Sequence, residues 1–217
     1  MRSNFLFGPA LIFLVIMTGC APEIIDKPIT FDQERLELSR HYLKDRYGIE
    51  KGEPVIEPKM VVLHWTEIPD LAGSFKAFKD SRLPNSRPEI AGAGALNVSA
   101  HFLVDRDGTI YRLMPETIMA RHVIGLNHCA IGVENVGGTA DTPLTDAQLN
   151  ANIALVRYLR SKYAIDHVIG HHEYRNFEGH PLWLEKDSAY RTVKSDPGDD
   201  FMKAVRKALA IAEPEIP

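Results

Sequence analysis

Nine histidines in a chain of 217 residues raise a chemical question first: which imidazoles meet, and what they hold. His64 closes the apolar run Met60-Val61-Val62-Leu63, and His171 follows Val168-Ile169-Gly170 in the same way. A polar side chain at the end of such a run either opens into a pocket or is satisfied by a neighbour, and spacing alone leaves both readings open. Asp196 stands in Lys194-Ser195-Asp196-Pro197-Gly198, where the Pro-Gly pair imposes a tight turn. That turn either fixes a carboxylate in place or is turn chemistry only. Glu134 is an acid inside the apolar stretch Ala130-Ile131-Gly132-Val133-Glu134-Asn135-Val136. If desolvated, its raised pKa suits it to general acid–base work near neutrality; if it faces solvent on an edge strand, it does nothing of the kind. A hydrolytic zinc site uses three protein ligands and keeps the fourth position for water.

These residues need elements to position them. Residues 59–65 read as a buried strand, rich in β-branched residues, and residues 167–169 as a short one running into Gly170-His171. Residues 101–104 and 109–113 alternate around Arg106-Asp107-Gly108, the pattern of a hairpin with Asp-Gly at its tip. Residues 129–136 form a further strand ending at Gly137-Gly138. Apolar residues at Leu36, Leu38, Tyr42, Leu43 and Tyr47 predict a helix over 31–47, stopped by Gly48. Residues 74–79 read as a short helix and 82–94, with two prolines and two glycines, as a loop. Thr145-Asp146-Ala147-Gln148 has capping-box form and opens a helix with apolar face Leu149, Ile153, Val156, Leu159 and Tyr163. A last helix runs from about 199 to 212. Strands interleaved with helices, one pair in a hairpin, predict an α/β domain with a mixed central sheet flanked by helices.

Five blocks occur in order along the chain: Leu63-His64-Trp65-Thr66; Ser99-Ala100-His101-Phe102-Leu103-Val104 with Asp107-Gly108-Thr109-Ile110-Tyr111; Ala130-Ile131-Gly132-Val133-Glu134; Ile169-Gly170-His171; and Lys194-Ser195-Asp196-Pro197-Gly198. Over residues 61–201 the set resembles the zinc-dependent N-acetylmuramoyl-L-alanine amidases, the family that includes phage lysozyme-type amidases and animal peptidoglycan recognition proteins. The resemblance implies the peptidoglycan-amidase fold and one Zn2+ held by His64, His171 and Asp196. It implies Glu134 as the catalytic acid–base group and Lys194 as the basic residue near the reacting carbonyl. Residues between Arg121 and Asn127 border the substrate cleft in that family, which makes His122 and Asn127 candidate contacts for sugar or peptide. His101 is expected to be structural, and His172 competes with His171 as ligand but fits the junction less well. Some relatives carry a tyrosine where Ala100 stands, which leaves the acid–base role to Glu134. The loop after His171 is longer than in the tightest relatives and holds His172, His180 and Trp183; it is expected to shape the substrate groove.

Composition sets the surroundings. A net charge of -4 argues against a nucleic-acid partner, which needs a basic face. Hydrophobic content of 45% and charged content of 25% are ordinary for a globular domain. Residues 5–16 form an apolar run after Arg2, too short for a mature membrane span, and Met17-Thr18-Gly19-Cys20 closes it with small residues. The closing residues resemble a lipobox, which implies a signal peptide over 1–19, acylation of Cys20, a tether over 20–30 and a single domain over 31–217. The alternative is ordinary cleavage, with Cys20 incidental. Ala21 in place of an aspartate points to an outer-membrane anchor facing the periplasm. With Cys20 lipidated, Cys129 has no partner for a disulfide and reads as a small buried hydrophobe, a cysteine nucleophile being the alternative. The expected function is hydrolysis of the amide between N-acetylmuramic acid and L-alanine in peptidoglycan or muropeptides. The rivals are a binding module of the same fold without catalysis and an amidase acting on another acylated amide.

Overall fold

A computed structural model describes residues 21–85 and 88–212, leaving aside the side chains of residues 88 and 89. The leader and Cys20 lie outside the described residues. The apolar runs pair into one six-stranded sheet of β1 (Ile24–Asp26), β2 (Met60–Trp65), β3 (Phe102–Val104), β4 (Ile110–Arg112), β5 (Ala130–Asn135) and β6 (His167–Gly170), in the order β1-β4-β3-β5-β2-β6. β3 and β4 are the antiparallel hairpin; every other pair is parallel. The mixed sheet expected from the sequence is therefore present.

β2 and β5 are central, and all but the last residue of β2 are buried, which is why they read as continuous apolar runs without alternation. The odd positions of β2 and β5 (Val61, Leu63, Ile131, Val133) face α4 (Asp146–Lys162) and α5 (Asp199–Leu209), meeting Leu155, Val156, Leu159, Met202 and Val205. Full burial of aliphatic side chains of this size contributes about 1.5–3 kcal/mol each. The even positions Met60, Val62 and Ala130 face the other way. There, with Ile169 of β6, Val123, Leu126, Tyr174 and Phe177 cover the sheet without a long helix. On that side also lie α1 (Gln33–Tyr42) and α2 (Leu71–Lys79). α1 runs on as a π-helical turn (Leu43–Tyr47), and Gly48 ends it at φ 73°, a conformation that costs glycine least.

Three expectations need correction. The stretch read as a tether is docked from β1 onward: Ile24–Asp26 pairs with β4, the Ile29 N–H donates to the Leu113 carbonyl at 3.1 Å, and Ile29 is buried. Strand addition at a sheet edge uses backbone groups, so it leaves no periodic trace in three residues. The loop over 82–94 contains one helical turn, α3 (Pro88–Ala91), which starts on a proline preset for the first helical position. The segment after His171 is a 3-10 helix (His171–Phe177) before it becomes a loop. The expected apolar face of α4 packs on the core, Val156 and Leu159 buried and Leu149, Ile153 and Tyr163 half-buried against it, with Gln148, Asn152 and Leu155 buried as well. The capping box at Thr145 is formed as expected, and its Gln148 reaches on to donate to the carbonyls of Val104 and Val136.

Docking of the N-terminal segment is open to test. Ile29→Ala should lower the unfolding free energy by about 2–5 kcal/mol, the usual cost of deleting a buried aliphatic side chain. An unstructured tether would leave the urea midpoint unchanged.

Candidate metal centre and its cleft

Parallel pairing places three chemical groups side by side. His64 on β2 is the register partner of Glu134 on β5, and Leu63 is the partner of Gly170, so His171 continues the same row past the end of β6. All three lie at the carboxyl ends of adjacent parallel strands, where open α/β sheets present their sites. Asp196 arrives from the loop before α5. Its backbone is held by His172, whose N–H and ring Nδ1 both lie within 3.0 Å of the Asp196 carbonyl oxygen, while the His172 Nε2 is 3.0 Å from Asp199. His172 thus supports the loop and is not a member of the cluster. The Asp196-Pro197 peptide is cis.

The donor atoms of His64, His171 and Asp196 form a small triangle. Nδ1 of His64 lies 3.0 Å from Nδ1 of His171 and 3.1 Å from Oδ2 of Asp196, and His171 Nδ1 lies 3.0 Å from the same oxygen. All three residues are buried, and they can hold a metal ion. Two imidazole nitrogens and one carboxylate oxygen are the donor set of a catalytic zinc site. Their protonation suits the role. Burial, with His64 beside it, pushes the His171 pKa down to about 4, which leaves its ring neutral. Burial alone would raise the Asp196 pKa, and the contacts from His171 and His64 more than reverse that, holding the carboxyl well below its usual range. His171, uncharged near neutrality, and Asp196, ionised there, are in the states that bind a metal ion.

Surrounding groups fix the ligands. The Asn135 side chain donates to the His64 carbonyl at 2.9 Å, and Asn152 of α4 donates to Asn135 Oδ1 at 2.7 Å. Glu173 accepts from the Gly170 N–H at 2.7 Å and pairs with Arg206 of α5 at 2.5 Å, which secures the backbone just before His171. Glu134, only 8% exposed, and the half-buried Lys194 line the same cleft of about 660 Å³ as the three ligands.

The two expected substrate contacts are placed differently. Asn127 is fully enclosed; its Oδ1 accepts from the N–H groups of His122 and Val123 at 2.8 Å, and its Nδ2 donates to the Tyr47 hydroxyl at 3.0 Å. It borders the cleft, but with no exposed surface its amide is taken up in shaping the loop. His122 borders the cleft but turns its ring behind His64, with its Nδ1 3.1 Å from His64 Nε2. Burial, followed by the neighbouring His64 and His101, holds the His122 pKa well down. His101 is structural, as expected: its Nδ1 accepts from the Gly132 N–H and its Nε2 lies 2.8 Å from the Ile118 carbonyl. Cys129 is a buried free thiol pushed up to about 12 by burial, a poor nucleophile that does not line the cleft. The loop after His171 divides its work. Trp183 stacks on Tyr174 and carries Arg191 on its ring, while Tyr190, Thr192 and Val193 reach the cleft.

Sequence reasoning missed Thr66, Glu67 and Lys76 on the cleft wall. Glu67 sits at φ 56°, an uncommon conformation for a residue with a side chain, and no sequence motif marks it. It also missed the reason for Gly132. A Cβ there would stand 2.7 Å from the His122 ring, and a glycine inside a strand is the available signal for so close an approach.

The buried histidines set a pH dependence. Burial pushes His101 down to about 4, against an ordinary value near 6.5. Between those values the unfolded chain binds a proton that the folded chain refuses, so stability present above pH ~6.5 is lost as the pH falls towards ~4. Roughly 3 kcal/mol should go from this residue alone. Urea unfolding of chelator-treated protein from pH 7 to 4.5 should show the decline, and His101→Gln should flatten it.

Comparison with known proteins follows the same lines. The endolysin of Escherichia phage T7 is 36% identical over 85 residues, covering 37% of this chain and 56% of that protein. The 1,6-anhydro-N-acetylmuramyl-L-alanine amidase AmpD of Citrobacter freundii is 32% identical over 118 residues, covering 49% of this chain and 63% of that protein. The chain thus spans somewhat more than half the length of these relatives. Among solved structures, the endolysin N-acetylmuramoyl-L-alanine amidase LysCS of Clostridium intestinale superposes with a TM-score of 0.53 at 22% identity, covering 89% of this chain and 99% of that one. At that identity the likeness concerns the fold. The model of the Amidase_2 family, N-acetylmuramoyl-L-alanine amidase, matches residues 52–199. The chain belongs to this amidase family.

Proposed function

We propose that the protein is a zinc-dependent amidase that hydrolyses the bond between N-acetylmuramic acid and L-alanine in peptidoglycan or muropeptides. The observation that carries this reading is the meeting of His64, His171 and Asp196 within 3.1 Å in a cleft that Glu134 and Lys194 also line. The names of the relatives point the same way, since they include a 1,6-anhydro-N-acetylmuramyl-L-alanine amidase and phage endolysins.

His64 Nδ1, His171 Nδ1 and Asp196 Oδ2 would hold the ion. Bound there, zinc supplies Lewis-acid polarisation of the amide carbonyl and lowers the pKa of water towards neutrality. Glu134 takes the proton of the attacking water and later delivers one to the amine of L-alanine as it leaves. The Lys194 ammonium stabilises the negative charge that develops on the carbonyl oxygen. The buried ligand row keeps these groups at fixed positions before substrate arrives, so little reorganisation is left for the reaction itself.

The protein without its leader should release free stem peptide from murein, and a chelator should stop it. Glu134→Gln should lower kcat by about 10²–10⁴ and Lys194→Ala by about 10² or more, with the fold retained. Cleavage that survives both chelation and His64→Ala would overturn the metal reading; bound zinc without cleavage of any murein fraction would make the protein a binding module.

Export and anchoring are part of the same proposal, resting on residues 1–20 alone. Acylated Cys20 would stand four residues before the first strand, holding the domain close to the outer membrane on its periplasmic side. Cys20→Ser should move the protein from the outer-membrane fraction to the soluble periplasm; an inner-membrane location of the unaltered chain would contradict it.

A further inference from the structure

A neutral imidazole has one N–H and one lone pair, so a histidine that ligates through one nitrogen must donate from the other. The contacts behind His64 fix which is which. The His122 Nε2 lies 3.2 Å from the backbone carbonyl oxygen of Ala130. A carbonyl only accepts, so that nitrogen carries the hydrogen of the buried, neutral His122 ring. The His122 Nδ1 is then a lone pair, and it faces the His64 Nε2 at 3.1 Å. That contact is a hydrogen bond only if His64 donates from Nε2. The His64 lone pair is thereby left on Nδ1, the atom that faces His171 and Asp196.

The seat of His122 is built from two sides. Gly132 on β5 leaves the space its ring fills, since a Cβ there would lie 2.7 Å from Cγ of His122. The His122 backbone is clamped by Asn127 Oδ1, and Asn127 is tied in turn to Tyr47 in the π-helical turn. Tyr47 lies before residue 52, so part of the support comes from outside the family-matched region.

We propose that His122 is a positioning residue for the metal site: it receives the Nε2–H of His64, passes its own Nε2–H to the Ala130 carbonyl, and so holds His64 in the tautomer and orientation whose Nδ1 binds the ion. The inference deepens the proposed function and rests on that site holding zinc. Orienting partners of this kind are typically worth tenfold to a hundredfold in metal affinity.

The test is the zinc dissociation constant of the metal-stripped protein, measured by competition with a chromophoric chelator. His122→Phe keeps a ring in the seat but removes both hydrogen bonds, and should weaken zinc binding by about tenfold to a hundredfold. His122→Asn restores an acceptor where Nδ1 stood and should recover most of the loss. Gly132→Ala keeps the imidazole but displaces it, and should also weaken binding; it reads the same coupling if the Phe variant does not fold. Equal affinity in His122→Phe and the unaltered protein would overturn the positioning role, as would equal losses in the Phe and Asn variants, which would mark mere packing. An unaltered protein that binds no zinc would instead bring down the metal reading, and this role with it.

Discussion

Three electron-rich atoms held about 3 Å apart in a buried place repel one another unless something positive sits among them. The Nδ1 atoms of His64 and His171 and the Oδ2 of Asp196 are in that situation. All three side chains are largely buried, and they line the cleft. A hydrogen on one of the imidazole nitrogens or a bound cation satisfies the triangle, and burial, with His64 beside it, disfavours the charged form of His171. The rest of the molecule is the scaffold that keeps these three atoms together.

That scaffold works through backbone registry more than through side-chain packing. A parallel sheet sets residues of neighbouring strands level with one another, so the β5–β2–β6 pairing alone brings Glu134, His64 and the start of the His171 turn into one row. Shifting β5 by one residue would send the carboxyl of residue 134 to the face where α4 and α5 pack. Asn135, Asn152 and Gln148 guard that register with amide hydrogen bonds that tie α4 to the carbonyls of His64, Val104 and Val136. Polar groups buried on a helix face are costly unless every one finds a partner, and here each of these three amides does.

This division explains what the sequence revealed. The strands bearing His64 and Glu134 were legible because strands covered on both faces must be apolar throughout, so one histidine or acid stands out. Thr145 and Gln148 were legible because a capping box is local chemistry. The docking of β1 was not, since a three-residue edge strand is made by backbone bonds that any residue supplies. Nor were the roles of His122 and Asn127: a motif places them near the cleft, but only coordinates show which way a ring or an amide turns. The second role of Gln148 was not legible for a related reason, as periodicity counts apolar positions and cannot see an amide that caps the end of a neighbouring strand.

The geometry also bears on the choice between hydrolase and binding module. A module that only grips a glycan peptide needs shape and hydrogen bonds along an open surface. It gains nothing from a carboxylate placed level with a candidate metal ligand. Here Glu134 is largely enclosed, faces the same cleft as the ligand triangle, and comes from the strand next to His64. Glu67, Lys76, Tyr190 and Val193 line the same cleft as the ligands. Glu134 therefore stands beside three side chains that can hold a metal ion, an arrangement that fits a hydrolase better than a module that only binds.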